Sequence, residues 1–367
     1  MKKWFLIWGC MCLWLLLPIS AGAQESIEKQ LDYGEVNEIL EEIFPEEKLQ
    51  FSDLVSKLTQ GEQVGKLLWE YLRGTFSYEF AHAKKTMIQI LLIVLVAAVF
   101  HNFAGVFQNQ QSSELGFYVL YILFITICMG TFRFLIDSVA AGVSDLLQFF
   151  SALGPMYFMV VAITTGSASS IAFYNILLFI IYLADLLVQN VLLPLVQSFF
   201  VLRILNEVSK EAYLSKFGEL IEMIIKWILR VFLAAVVGIN LVQGMLSPAI
   251  DAVKRNVLRG GSEALPIIGE AIGGVTEVVL GTAVLIRNGM GVAGMIICIA
   301  ICLLPVVEMT AIVFMYRLMA ALIQPISEKR MVNCIGTMAD GASLLLQIIL
   351  TTAALFLIVI ATVSNMH

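Results

Sequence analysis

Residues 341–363 read GASLLLQIILTTAALFLIVIATV, an unbroken run without a single acidic or basic side chain. At about 1.5 Å per residue a helix of this length covers about 35 Å, enough to cross a hydrocarbon core of about 30 Å. Runs of the same character recur upstream at 87–107, 116–136, 146–163, 171–193, 227–246, 266–286 and 290–316. The run at 87–107 is the cleanest of these. Gly154-Pro155 interrupts 146–163, Pro194 ends 171–193, glycines crowd 266–286, and Pro305 lies inside 290–316. The third and sixth runs could be re-entrant or half-buried. The expected fold is therefore an all-α, polytopic transmembrane helical bundle of six to eight spans. Pro155, Pro194 and Pro305 predict kinked or broken helices whose freed carbonyls need partners inside the protein.

Composition agrees. The chain has 367 residues, 60% hydrophobic and 14% charged, against about 45–50% and about 25% in soluble domains. Its mean hydropathy is +0.91. A soluble globular protein and a disordered chain are excluded as the leading class. The net charge of −6 is unevenly placed. Residues 1–23 hold only Lys2 and Lys3, residues 24–85 hold 13 acids against 7 bases, and residues 86–367 hold 15 acids against 13 bases. There is no basic stripe for nucleic acid and no polybasic run for anionic lipid.

Residues 1–23 read as a secretory signal peptide. Lys2-Lys3 is the positive region, an apolar stretch runs from Trp4 to Leu17, and Pro18 breaks it. Ala21-Gly22-Ala23 forms a small-x-small site for cleavage between Ala23 and Gln24. The alternative is an uncleaved anchor, for which the apolar stretch is short. Residues 24–85 then form an acidic, extracytoplasmic helical domain, and 86–367 a multispan membrane domain. In the head Ile39, Leu40, Ile43 and Phe44 follow helical spacing up to Pro45, and Leu54, Val55 and Leu58 begin a second helix. About sixty residues make a marginal core, so this domain is expected to pack on something.

A cleaved signal places the head outside and the first span running inward. Eight spans then put Lys254, Arg255 and Arg259 inside, together with Lys329 and Arg330, as the positive-inside rule asks. Lys84 and Lys85 disagree with that rule. Between the fourth and fifth spans, residues 203–226 alternate apolar and charged side chains as an amphipathic helix does. Such a helix lies in the membrane interface or docks a partner, and Arg203–Glu207 and Glu222–Lys226 are favourable pairs along it.

No reactive set is visible. His82, His101 and His367 are scattered, and there is no HExxH, GxSxG or Walker A sequence. No catalytic residue, cofactor or metal is expected. Cys128, Cys298, Cys302 and Cys334 sit in or beside apolar runs and read as small packing residues. Gly289-Met-Gly-Val-Ala-Gly294 matches a dinucleotide fingerprint, but no strand precedes it, so Gly291 and Gly294 read as helix-packing positions. Gly269, Gly273, Gly274 and Gly281 extend a surface of small residues on which helix backbones can approach closely.

Acidic residues within the spans are few: Asp185, Glu270, Glu277 and Glu308, with Arg287 at a boundary. Each costs about 3 kcal/mol at a helix centre, which makes it a candidate polar site. Glu270 and Glu277 could line a water-filled path or pair with Arg287 or Arg317. Structural polar contacts within the bundle are the competing reading. Asp185 and Glu308 are the better candidates for a proton relay, without a visible partner.

The C-terminal third carries a specific likeness. Leu265-Pro-Ile-Ile-Gly269, Val279-Leu-Gly281, Leu285-Ile-Arg-Asn288, Gly291-Val-Ala-Gly294, Leu304-Pro305 and Ala320-Ala-Leu-Ile-Gln-Pro325 together resemble the stage III sporulation protein AE family of endospore-forming bacteria. The signal, acidic head and multispan body resemble that family's layout over the whole chain. The resemblance implies a non-enzymatic membrane component of the channel or transenvelope complex between mother cell and forespore. It also implies the other stage III A proteins and forespore stage II protein Q as partners, and a separate ATPase subunit as energy source. The implied location is the outer forespore membrane, with the head between the two forespore membranes. An independent secondary transporter is the alternative.

Overall fold

The computed structural model describes residues 33–44, 50–59, 110–165, 167–208, 214–262 and 269–364, with isolated helical positions at 88, 92 and 96. The signal, its cleavage site at Ala23 and Gln24, much of the head and most of the run at 87–107 lie outside the described residues. So do the three histidines.

The described residues are helical and form two short elements and five long ones. The short ones are α1 (Gly34–Ile43) and α2 (Phe51–Thr59). The first long helix, α3, runs Gln110–Thr165. Next comes α4 (Ser167–Leu187), which passes through a π-helical turn at Val188–Leu192 into α5 (Leu193–Val208). The chain continues with α6 (Ser215–Ser262), α7 (Gly269–Ile323) and α8 (Lys329–Ser364).

Within the described residues, four helices are long and apolar enough to cross a membrane: Tyr118–Thr164, Phe173–Val208, Ala283–Ile323 and Lys329–Ser364. These are fewer and longer than the sequence suggests. The runs at 116–136 and 146–163 share α3, and those at 266–286 and 290–316 share α7. Neither pair can therefore be two spans with a return between them. The expected break at Gly154-Pro155 is a packing device instead. A Cβ on Gly154 would meet Leu177 Cδ2 at 3.2 Å, so the glycine lets α4 close on α3. Pro194 likewise ends nothing. It lacks the N–H that would bond back to Asn190, and the π turn just before it lets the helix continue. At 56 residues α3 is about 84 Å long, well over twice the hydrocarbon thickness.

Contacts fix how the helices run. Tyr121 meets Cys334, Gly341 abuts Phe132, and Phe150 stacks on Phe356, so α3 and α8 are parallel. Gly142 abuts Pro305, and Leu153 abuts Gly294, so α7 is antiparallel to both. The α4–α5 rod is antiparallel to α3, through Tyr157 with Phe173 and Phe132 with Phe200. Helix α8 packs on α3, α5, α6 and α7 and is the centre of the bundle. In its most apolar stretch 72% of residues are buried, against 28% in α3, which presents much of its apolar surface outward.

The stretch 203–226 falls on two helices. No glycine or proline announces the break after Val208, but Asn206 Oδ1 accepts from the Leu214 backbone at 3.0 Å and closes the connection. Arg203 does not pair with Glu207. It reaches across the turn to Glu222 at 3.6 Å, while Glu207 accepts from Asn333 on α8. The Glu222–Lys226 pair is present. Helix α6 starts beside Arg203 and runs on to Ser262, which carries Lys254, Arg255 and Arg259 roughly 50 Å away along the helix. Lys329 and Arg330 start α8 at the end where Glu207 meets Asn333. Lys254, Arg255 and Arg259 thus lie near the far end of α6, and Lys329 and Arg330 near the end where α6 begins.

Candidate polar sites in the bundle

The first site lies where α1 rests on α3. Asn37 Oδ1 accepts from the Phe51 backbone at 2.7 Å and ties α1 to α2. Phe51 packs between Tyr33 and Phe149, so the head is bound to the middle of α3 through an aromatic contact. Beside that contact is an open groove of about 510 Å³, lined by Glu35, Ser144, Gln148, Tyr182 and Asp185 among others. Asp185 is exposed there, at the outer side of α4. Two carboxylates and several neutral polar groups could hold a cationic side chain or water.

Glu308 is elsewhere, 6% exposed at the crossing of α3 and α7. Ser138 donates to its Oε2. One turn away a Cβ on Gly142 would stand 2.9 Å from Pro305, so the helices touch there with almost no side chain between them. At the same level Gln189, in the π turn, donates to the Ala140 carbonyl at 3.0 Å. Two helix irregularities and a glycine thus gather around one buried carboxylate. Pi turns and intrahelical prolines free backbone carbonyls and recur where helices change shape. The sequence singled out Glu308 and Pro305 but gave no sign of Ser138 or Gln189, whose roles come from a different helix. Asp185 and Glu308 do not line the same groove.

Arg287 is 2% exposed, with no carboxylate partner among the described residues. Its Nη1 donates to Thr164 Oγ1 and its Nη2 to the Ser364 carbonyl, each at 3.3 Å. Arg317 pairs with Asp340 on α8 at 3.0 Å, with both side chains about half exposed. Glu270 and Glu277 lie in the first turns of α7, as do Gly269, Gly273, Gly274 and Gly281, but the surroundings of their side chains are outside the described residues.

Gly291 and Gly294 do sit at close approaches. A Cβ on Gly291 would meet the Tyr157 hydroxyl at 3.0 Å, and one on Gly294 would meet Leu153 at 3.0 Å. The fingerprint-like spacing therefore reflects packing of α7 on α3 and α8. The four cysteines of the body are buried and unlinked. Among the described residues no group of three or more His, Cys, Asp or Glu could hold a metal ion. On α6, outside the candidate spans, Lys216 bonds to Glu219 and holds that carboxyl below its usual range.

The model of the family described as stage III sporulation protein AE matches residues 49–366. A curated relative, the stage III sporulation protein AE of Bacillus subtilis (strain 168), is 23% identical over 304 residues, covering 81% of this chain and 76% of its own. No solved structure matches the chain. The family match runs from just before α2 into the last residues beyond α8 and takes in the π turn, Pro305 and the glycine contacts of α7. On that span the chain belongs to the stage III sporulation protein AE family.

Proposed function

We propose that this chain is the conduit-like or permease-like membrane subunit of the complex joining mother cell and forespore, without enzymatic chemistry of its own. It is a sporulation membrane protein by family and by its four long apolar helices. The finer reading is carried by one observation. The buried carboxylate Glu308 lies at a crossing where α3, α7 and the π turn each depart from regular packing. That is the construction of a bundle able to shift. In this reading the other stage III A proteins and forespore stage II protein Q are the partners. A separate ATPase supplies energy, the outer forespore membrane is the location, and the acidic head projects into the space between the membranes after signal cleavage.

Cross-linking and mass spectrometry of sporulating cells test this. Links from the head to ring-forming partners are expected. A protein recovered only as a free monomer, under conditions that preserve the partner rings, would overturn the proposal. A second reading, an independent transporter, also draws on Glu308. It requires solute flux in vesicles holding this protein alone, abolished by Glu308→Gln; absence of flux refutes it.

A further inference from the structure

Three helix ends meet around Arg287. Helix α3 ends at Thr165, α4 starts at Ser167, and α8 ends at Ser364. Two candidate spans, Tyr118–Thr164 and Lys329–Ser364, end at this level of the bundle. The Arg287 guanidinium is almost wholly buried here, yet its bonds to Thr164 and Ser364 are long and both acceptors are uncharged. Its Nε makes no hydrogen bond. The Tyr157 hydroxyl is also buried and without one, although it lies over Gly291 beside Ser364. The ring of Tyr157 is fixed edge-on against Phe173 at 5.7 Å. Buried donors left open side by side are rare, because each forfeits its bonds to water. An arginine edge presents parallel N–H groups that match two oxygens of an oxyanion, and a phenol adds a third donor.

We propose that Arg287 and Tyr157 form a binding site for a phosphate-type oxyanion at this end of the bundle. The phosphate belongs either to a lipid headgroup or to a free ion, since both present the same oxygens. Bound there, it gives Arg287 a negative charge that none of the described residues supplies, and it ties α3, α7 and α8 together.

The test uses the full-length protein in a zwitterionic detergent, with thermal unfolding followed at constant ionic strength. Inorganic phosphate is added in one arm and short-chain phosphatidic acid in the other, with short-chain phosphatidylcholine and sodium chloride as controls. Wild type is expected to unfold at a higher temperature in at least one arm. A response to inorganic phosphate identifies a free ion as sufficient, and a response to phosphatidic acid alone identifies the headgroup. Arg287→Gln is expected to lose the response, and Tyr157→Phe, which keeps the ring packing, to weaken apparent affinity about tenfold. Should Arg287→Gln fail to fold, Tyr157→Phe decides the matter. No response of wild type in either arm overturns the proposal, as does an unchanged response in Tyr157→Phe or in a folded Arg287→Gln.

Discussion

Gly341→Ala is the sharpest probe of the bundle's centre. A Cβ built on Gly341 stands 2.5 Å from Phe132 Cε2 and 2.8 Å from its Cζ, nearly 1 Å inside ordinary contact. Phe132 cannot retreat, because it is 1% exposed and its far face stacks on Phe200 with ring centroids 3.8 Å apart. Overpacking of this kind costs about 1–3 kcal/mol. Alanine in place of glycine inside a helix returns about 1 kcal/mol. The net is a loss of about 0–2 kcal/mol.

Gly336 supplies the control on the same helix. Nothing lies within 4 Å of its added Cβ, so Gly336→Ala keeps the propensity gain of about 1 kcal/mol. The two variants should therefore lie about 1–3 kcal/mol apart, with Gly341→Ala the less stable. Reversible unfolding in mixed micelles, read by tryptophan fluorescence, measures the difference. A double variant with Phe132→Leu should recover much of the Gly341→Ala loss, and the double-mutant cycle isolates the contact. If Gly341→Ala is as stable as Gly336→Ala, the close approach of α3 and α8 is wrong.

Other expectations follow from the same geometry. Ser138→Ala removes the hydroxyl that donates to Glu308 and should cost about 1–2 kcal/mol, with Ser138→Thr close to wild type in the same unfolding assay. Asn37→Ala opens the link between α1 and α2 and should cost about 1 kcal/mol, read as faster proteolysis within the head while the bundle stays intact. Breaking the half-exposed Arg317–Asp340 pair by either alanine variant should change stability by less than about 1 kcal/mol; a larger loss would mean the pair is desolvated in the membrane. Cysteines placed singly at Arg255 and Lys329 should be labelled from opposite sides of the membrane, because α6 and α8 carry them to opposite ends.

Much of this was legible in the chain. Helical class and the apolar runs could be read directly, since they depend on composition within one segment, whereas of the ionisable residues picked out within or beside the runs Glu308 and Arg287 are buried and Asp185 is exposed. The glycines at 291 and 294 lie where α7 comes close to α3 and α8. What could not be read depends on a second segment. Gly154-Pro155 is spelled like a turn, and only Leu177 on α4 explains the glycine as a contact. Pro194 is spelled like a helix end, and the π turn before it is invisible in the residue pattern. Arg203 has a good partner at i+4, but the fold offers Glu222 instead. The groups that Arg287 touches among the described residues come from the ends of α3 and α8, far from it in sequence.

Helix α8 is the hub of the bundle, and in this chain it is also made after the others. Helices α3 to α7 enter the membrane before the surface they finally pack on has left the ribosome. Until it does, Gly142 and Pro305 can meet, but Phe132, Phe150, Cys298 and Tyr121 face positions that nothing yet fills. Assembly is thus held open until residues 329–364 have been made. A chain halted before residue 329 would be inserted but coreless, a natural substrate for membrane quality control rather than a partly working subunit.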